Sequence, residues 1–167
     1  MSRKYVRPPF LPPEVTQASY LRWLSRKSIA HVRRDKRRGN IKAVNEAYKM
    51  AIHQAVIDST GKDHYTGEPL NWTLLSRYNN DESKEKRRHY KASFALLPTV
   101  DHVGDGLGVA EFKICGWRTN DAKNDLTHEE FIELCRRVIA YFDRRESPKL
   151  DPPSPSLTES ESRRLWP

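Results

Sequence analysis

The chain has 167 residues, and its 30 Lys and Arg against 22 Asp and Glu give a formal net charge of +8. At 37% hydrophobic residues and a mean hydropathy of −0.84, no stretch approaches the roughly 20 apolar residues of a membrane-spanning helix, which excludes an integral helical membrane protein. The length suits one domain, and the pI near 9.6 points to an anionic partner.

Residues 1–16 carry Pro8, Pro9, Pro12 and Pro13. Proline lacks an amide donor and disfavours helix, so an extended basic arm bearing Arg3, Lys4 and Arg7 is expected. From Ser19 to about Arg38, Tyr20, Leu21, Leu24, Ile29 and Val32 recur mostly at helical spacing, and Gly39 supplies a stop. The rest of that helix is basic: Arg22, Arg26, Lys27, Arg33, Arg34, Lys36, Arg37 and Arg38 face one acid, Asp35. A phosphate-facing surface is preferred here over a merely solvated one.

A second helix is predicted from about Ile41 to Ser59, with Val44, Tyr48, Ala51, Ile52, Ala55 and Val56 as its core stripe and Gly61 ending it. His53, between stripe residues, reads as structural. Asp63–Leu70 is turn-rich, and Asp63 with His64 reads as a turn-stabilising pair rather than a second metal site. The charged run 79–91, which holds Arg87 and Arg88, fits an exposed helix or a loop.

The segments 94–100 and 110–115 are apolar or alternating, and between them lies the glycine-rich 101–108. This pattern predicts a hairpin whose loop follows His102. Residues 117–125 form a short helix, and Thr127–Glu130 is a capping box opening a last helix with Phe131, Leu134, Cys135, Val138, Ile139 and Phe142 as a core stripe. The proline-rich residues 147–167 are expected to be a disordered tail, with Trp166 part of it. Cys115 and Cys135 form no CxxC pair, and the N-terminus lacks the apolar core of a secretion signal, so a reducing, cytoplasmic setting is expected.

The informative order is strand, Asp101-His102, glycine loop, strand, then a helix with Asn120, Lys123 and Asn124. Asn120 and Asn124 stand at i and i+4, which predicts a shared helix face. A carboxylate with amide oxygens suits a hard cation such as Mg²⁺, and a neighbouring histidine can take a proton from water near neutral pH.

These residues, VDHVGDG followed by FKICGWRTNDAKNDLTHEEF, resemble the ββα-metal motif of the HNH endonuclease superfamily over roughly residues 94–130, with HYTGEPL similar to the segment that precedes it there. The resemblance implies an α+β fold: a helical N-terminal half, a ββα-metal core at about 94–126, and a C-terminal helix, making one nuclease domain over 17–146. It also implies that His102 is the general base, that Asp101 and Asn120 hold Mg²⁺ or Mn²⁺, that Asn124 is a further ligand or phosphate contact, and that Lys123 faces the DNA backbone. The products implied are 5′-phosphate and 3′-hydroxyl ends. Duplex DNA is the expected partner, touched also by Arg118, Arg33, Arg34, Arg37, Arg38, Arg87 and Arg88, with no membrane partner and with a homodimer compatible with double-strand cleavage.

The chain departs from that family's pattern twice. The places of its zinc-binding CxxC pairs are taken by Asp63-x-x-Thr66 and Gly116-x-x-Thr119, so no structural zinc is expected. The family's middle asparagine falls near Glu111 or Phe112, and Glu111 is the candidate to steady the histidine loop in its place. The rival readings are a noncatalytic nucleic-acid-binding module on the same fold and an RNA-directed or toxin-like nuclease.

Overall fold

The N-terminal prolines bend the chain back onto the protein. The computed structural model describes residues 3–146, with 76 and 78 excepted. The expected disordered tail and Trp166 lie outside the described residues. The segment expected as an extended arm begins with a 3₁₀ turn at Arg3–Tyr5 and makes two further turns, closed by Leu11 N–H on Pro8 O and Val15 N–H on Pro12 O. Its apolar residues Tyr5, Leu11 and Val15 are buried in the main core. Two of its cations are engaged within the protein: Lys4 pairs with Glu46, and the Arg7 guanidinium donates to the Leu11 and Pro12 carbonyls. Sequence periodicity does not register this, because prolines permit a packed turn as readily as a free arm.

Helix α1, Gln17–Arg37, starts at Thr16, whose hydroxyl accepts from Ser19 N–H. It buries Tyr20, Trp23, Leu24, Ser28, Val32 and Asp35, while Ile29 is exposed. Helix α2, Asn45–Ser59, starts later than the predicted Ile41, because Asn40–Ala43 forms a turn. Tyr48, Ile52, Ala55 and Val56 face inward, but Val44 is exposed. Left-handed Thr60 and Gly61, at φ 48° and 86°, end α2, and a side chain at Gly61 would stand 3.1 Å from the Phe10 ring. α1 and α2 pack together around Trp23, Leu24, Ile52 and Val56, each contributing about 1.5–3 kcal/mol on full burial. His53 is half-buried between them, sharing a 2.6 Å hydrogen bond with the Tyr20 hydroxyl, as a structural histidine should.

The charged run 79–91 resolves as helix α3, Asn80–Ser93, capped by the Asn79 side chain on Asp81 N–H. Strands β1, Pro98–His102, and β2, Phe112–Gly116, pair antiparallel with Val100 opposite Ile114 and His102 opposite Phe112. Helix α4, Trp117–Lys123, follows β2 directly and packs on both strands. The architecture is therefore mixed, with helices first, then a two-stranded sheet, then a final helix α5, His128–Glu146.

The chain divides into two compact units, one ending at Glu129 and one beginning at Glu130. The second is described only as the remainder of α5, where Leu134, Val138, Ile139 and Phe142, expected as core, are about half exposed. An apolar stripe predicts amphipathicity, not that a partner within the fold covers it. Among the described residues no helix is long and apolar enough to cross a membrane.

Candidate active site

Successive residues of a strand face opposite sides of a sheet, so β1 sends Asp101 and His102 apart. Asp101 shares its face with Thr99, Lys113 and Cys115; His102 shares the other with Val100, Phe112 and Ile114. The first face carries α4 and the second packs on the helical core.

Asp101 is 5% exposed. The Tyr65 hydroxyl donates to its Oδ2, and the Lys123 ammonium lies 3.3 Å from the same oxygen. Burial, then the bond to Asp101, pushes the Tyr65 phenol far above its ordinary range. Lys123 is itself buried, its charge paired with Asp101. Asn120 is half-buried one turn before Lys123. Asn124 is not on the helix: α4 ends at Lys123, and Asn124 takes φ 52°, exposed, with its amide donating to Asp125 Oδ1. The shared face predicted from i and i+4 spacing is lost because the helix stops one residue early. Among the described residues, no hydrogen bond joins either asparagine to Asp101, and no cluster of three or more His, Cys, Asp or Glu is arranged to hold a metal ion.

On the opposite face His102 meets an acid that the sequence pattern did not single out. Asp35 is fully buried and its Oδ2 lies 3.0 Å from His102 Nε2. The two are not aligned as a hydrogen bond, and both ring nitrogens of His102 are buried. The Tyr48 hydroxyl donates to the same Oδ2 at 2.7 Å and Arg34 Nε to Oδ1 at 3.1 Å. Burial raises the Asp35 carboxyl, but the bonds from Tyr48 and Arg34 outweigh it and hold it below the usual carboxylate range. Burial likewise pushes Tyr48 up to about 12 and His102 below its ordinary value, the Asp35 charge opposing the latter. The His31 ring stacks 6.2 Å from that of His102, and burial with the charges of Arg34 and Lys27 lowers it to about 3. Both rings are therefore neutral at pH 7. One signal for Asp35 was present: it continues the Leu24, Ser28, Val32 stripe of α1 while being the lone acid of a basic run.

The loop after His102 is steadied from the helical half. Asn40 donates its amide to Gly106 O at 2.8 Å and Gly108 O at 3.4 Å, and Gly106, at φ 82°, approaches Asp35 so closely that a side chain there would stand 2.7 Å from Oδ1. Glu111 meets the loop through its main chain, its carbonyl accepting from Val103 N–H at 3.0 Å, while its side chain is exposed and lies 3.5 Å from Lys113.

A buried carboxylate joins the two places that carry CxxC pairs in the resembling family. Asp63 accepts from Gly116 N–H at 2.7 Å, Tyr65 N–H at 2.8 Å and Thr66 N–H at 3.2 Å. It fixes the turn that carries Tyr65 to the start of α4, and so sets both neighbours of Asp101. The His64 and His128 rings lie 5.8 Å apart, with His128 also stacked on Tyr65.

Of the predicted phosphate contacts, Arg33, Arg37, Arg38 and Arg88 are exposed. Arg34 is committed to Asp35 and Arg118 to Glu68, while the Arg87 side chain lies outside the described residues. Arg22, Arg26 and Arg33 line a shallow cleft along α1 with Leu21, Ile29 and Ala30. No family model, curated protein or solved structure matches the chain.

Proposed function

We propose that the protein is a metal-dependent endonuclease of HNH type that hydrolyses phosphodiester bonds in DNA. The observation that carries this reading is the order and packing of the hairpin and α4: an Asp-His pair ends β1, a glycine loop follows, and the helix after β2 covers the Asp101 face. Asp101 is a buried carboxylate that already holds a cation, the Lys123 ammonium. That oxygen-rich setting, with Tyr65 beside it and Asn120 on the adjoining helix, fits a hard divalent ion taken up in exchange for the ammonium. Asp101 and Asn120 would hold it, and when bound it supplies charge for the phosphoryl oxygen and the leaving 3′ oxygen.

The protein's own residues do the rest. In this reading His102, at the end of β1 beside the glycine loop, accepts the proton of the attacking water. Asn40 and Gly106 keep the loop after His102 in place. Arg26, Arg33 and Arg37, exposed along α1, attract the phosphate backbone and position it without reading its sequence.

One observation favours the rival reading, a nucleic-acid-binding scaffold without turnover: the Lys123 ammonium rests where the metal would act. Plasmid nicking by the wild type and His102→Ala, with Mg²⁺, with Mn²⁺ and with EDTA, separates the two. Cleavage by the wild type alone, lost in EDTA, supports the nuclease. DNA retardation by both proteins without cleavage under any metal supports the scaffold. Parallel assays on duplex DNA, single strands and RNA distinguish an RNA-directed or toxin-like enzyme.

A further inference from the structure

Monomeric globular proteins rarely leave several large apolar side chains together in water, because each forgoes much of the roughly 1.5–3 kcal/mol that full burial supplies. Helix α5 does so along most of its length. Leu134, Val138 and Phe142, spaced four residues apart, share one face, and Ile139 and Tyr141 stand at its two edges. All five are between 47% and 60% exposed. The charges of the helix indicate what fits over them. Residues 128–135 hold Glu129, Glu130 and Glu133 with no Lys or Arg, whereas 136–145 hold Arg136, Arg137, Arg144 and Arg145 against the single acid Asp143. That polarity suits the macrodipole of one helix, and it also makes α5 complementary to itself turned end for end. A uniformly acidic or basic partner would repel one end. Glu130 and Arg145 are exposed and border the apolar face at opposite ends, with the Arg145 guanidinium 5.5 Å from the centre of the Tyr141 ring.

We propose that α5 is a self-association surface on which two copies of the chain pair antiparallel, apolar face to apolar face, with Glu130 of each beside Arg145 of the other. A parallel pair would set Glu against Glu and Arg against Arg, and like charges across an interface oppose association. With 19 residues, α5 is about 28 Å long. A face of that length offers an interface near the lower limit of about 1,200 Å² for specific pairs, so a dimer in the micromolar range is expected. Two copies would bring two hairpin sites to one duplex. That consequence rests on the nuclease reading; the pairing does not.

The full chain is measured by sedimentation velocity between about 1 and about 200 µM. The wild type is expected to move from 19.5 kDa toward twice that mass as concentration rises. Val138→Glu, which sets a charge in the middle of the face, should stay at the monomer mass throughout, with its near-ultraviolet circular dichroism unchanged. Glu130→Lys and Arg145→Glu, both at exposed positions, should each weaken the dimer about tenfold, and an equimolar mixture of the two should restore it. These charge variants keep the test decisive where Val138→Glu fails to fold. A wild type that remains monomeric at the highest concentration overturns the inference, whether another part of the same chain covers the face or nothing does. A dimer that neither Val138→Glu nor the charge variants disturb forms elsewhere on the molecule and overturns it too. A dimer broken by Val138→Glu but indifferent to Glu130→Lys and Arg145→Glu overturns the antiparallel pairing. No arm of the experiment uses a substrate, so the nuclease reading stands or falls separately.

Discussion

Replacing Asp63 with alanine tests whether a carboxylate does here the work of a structural cross-link. Asp63 is 2% exposed and accepts three backbone N–H groups, those of Gly116, Tyr65 and Thr66. In Asp63→Ala the Gly116 amide, buried at the end of β2, is left without a partner, at about 1–3 kcal/mol. The Tyr65 and Thr66 amides lie in an exposed turn, where water recovers much of the loss, roughly 0.5–1 kcal/mol remaining for each. Relief of the carboxylate's own desolvation trims the total, so a net loss of about 3 kcal/mol is expected, or roughly 10 °C in Tm for a unit of this size. Asp63→Asn, which keeps one acceptor, should lose about half as much. Thermal and urea unfolding measure the loss, and hydrogen exchange locates it, with the Gly116 amide losing protection first. A Tm within about 2 °C of the wild type with an unchanged m value would show that Asp63 is incidental to the fold and that the reasoning fails.

Three further outcomes follow from the same geometry. His31 is lowered to about 3 from 6.5, so between those values the unfolded ring binds a proton that the folded ring refuses; stability should hold above about pH 6.5 and fall as pH drops toward 3, and urea midpoints of His31→Gln should fall less steeply. Arg26→Ala and Arg33→Ala should each weaken DNA retardation regardless of sequence and reduce the salt slope by about one; a change confined to some sequences would refute a backbone role. Lys123→Met removes a buried cation 3.3 Å from Asp101, and Mn²⁺ binding followed by paramagnetic resonance should tighten at least about tenfold by the relief of charge repulsion. Weaker Mn²⁺ binding would mean that Lys123 supports the site instead of competing for it.

The sequence alone carried the type and order of the elements. Helical spacing in Tyr20, Leu24 and Val32, alternation in β2 and the glycines after His102 are local patterns, each set by the geometry of a few consecutive residues. The charge excess and the Asp-His pair at a strand end are legible in the same way. Tertiary structure decided which polar atoms meet. Asp35 with His102, Asn40 with Gly106 and Asp63 with Gly116 are contacts between segments more than 50 residues apart. No periodicity records them, because each depends on the faces that two separately folded elements turn to one another. It also added Asn40 to the loop after His102, buried Lys123 against Asp101, and packed Tyr5, Leu11 and Val15 of the N-terminal segment into the core. Short-range sterics fix an element from its own residues, whereas a buried carboxylate is satisfied by whichever donors the packing brings within about 3 Å, and only the assembled chain brings them there.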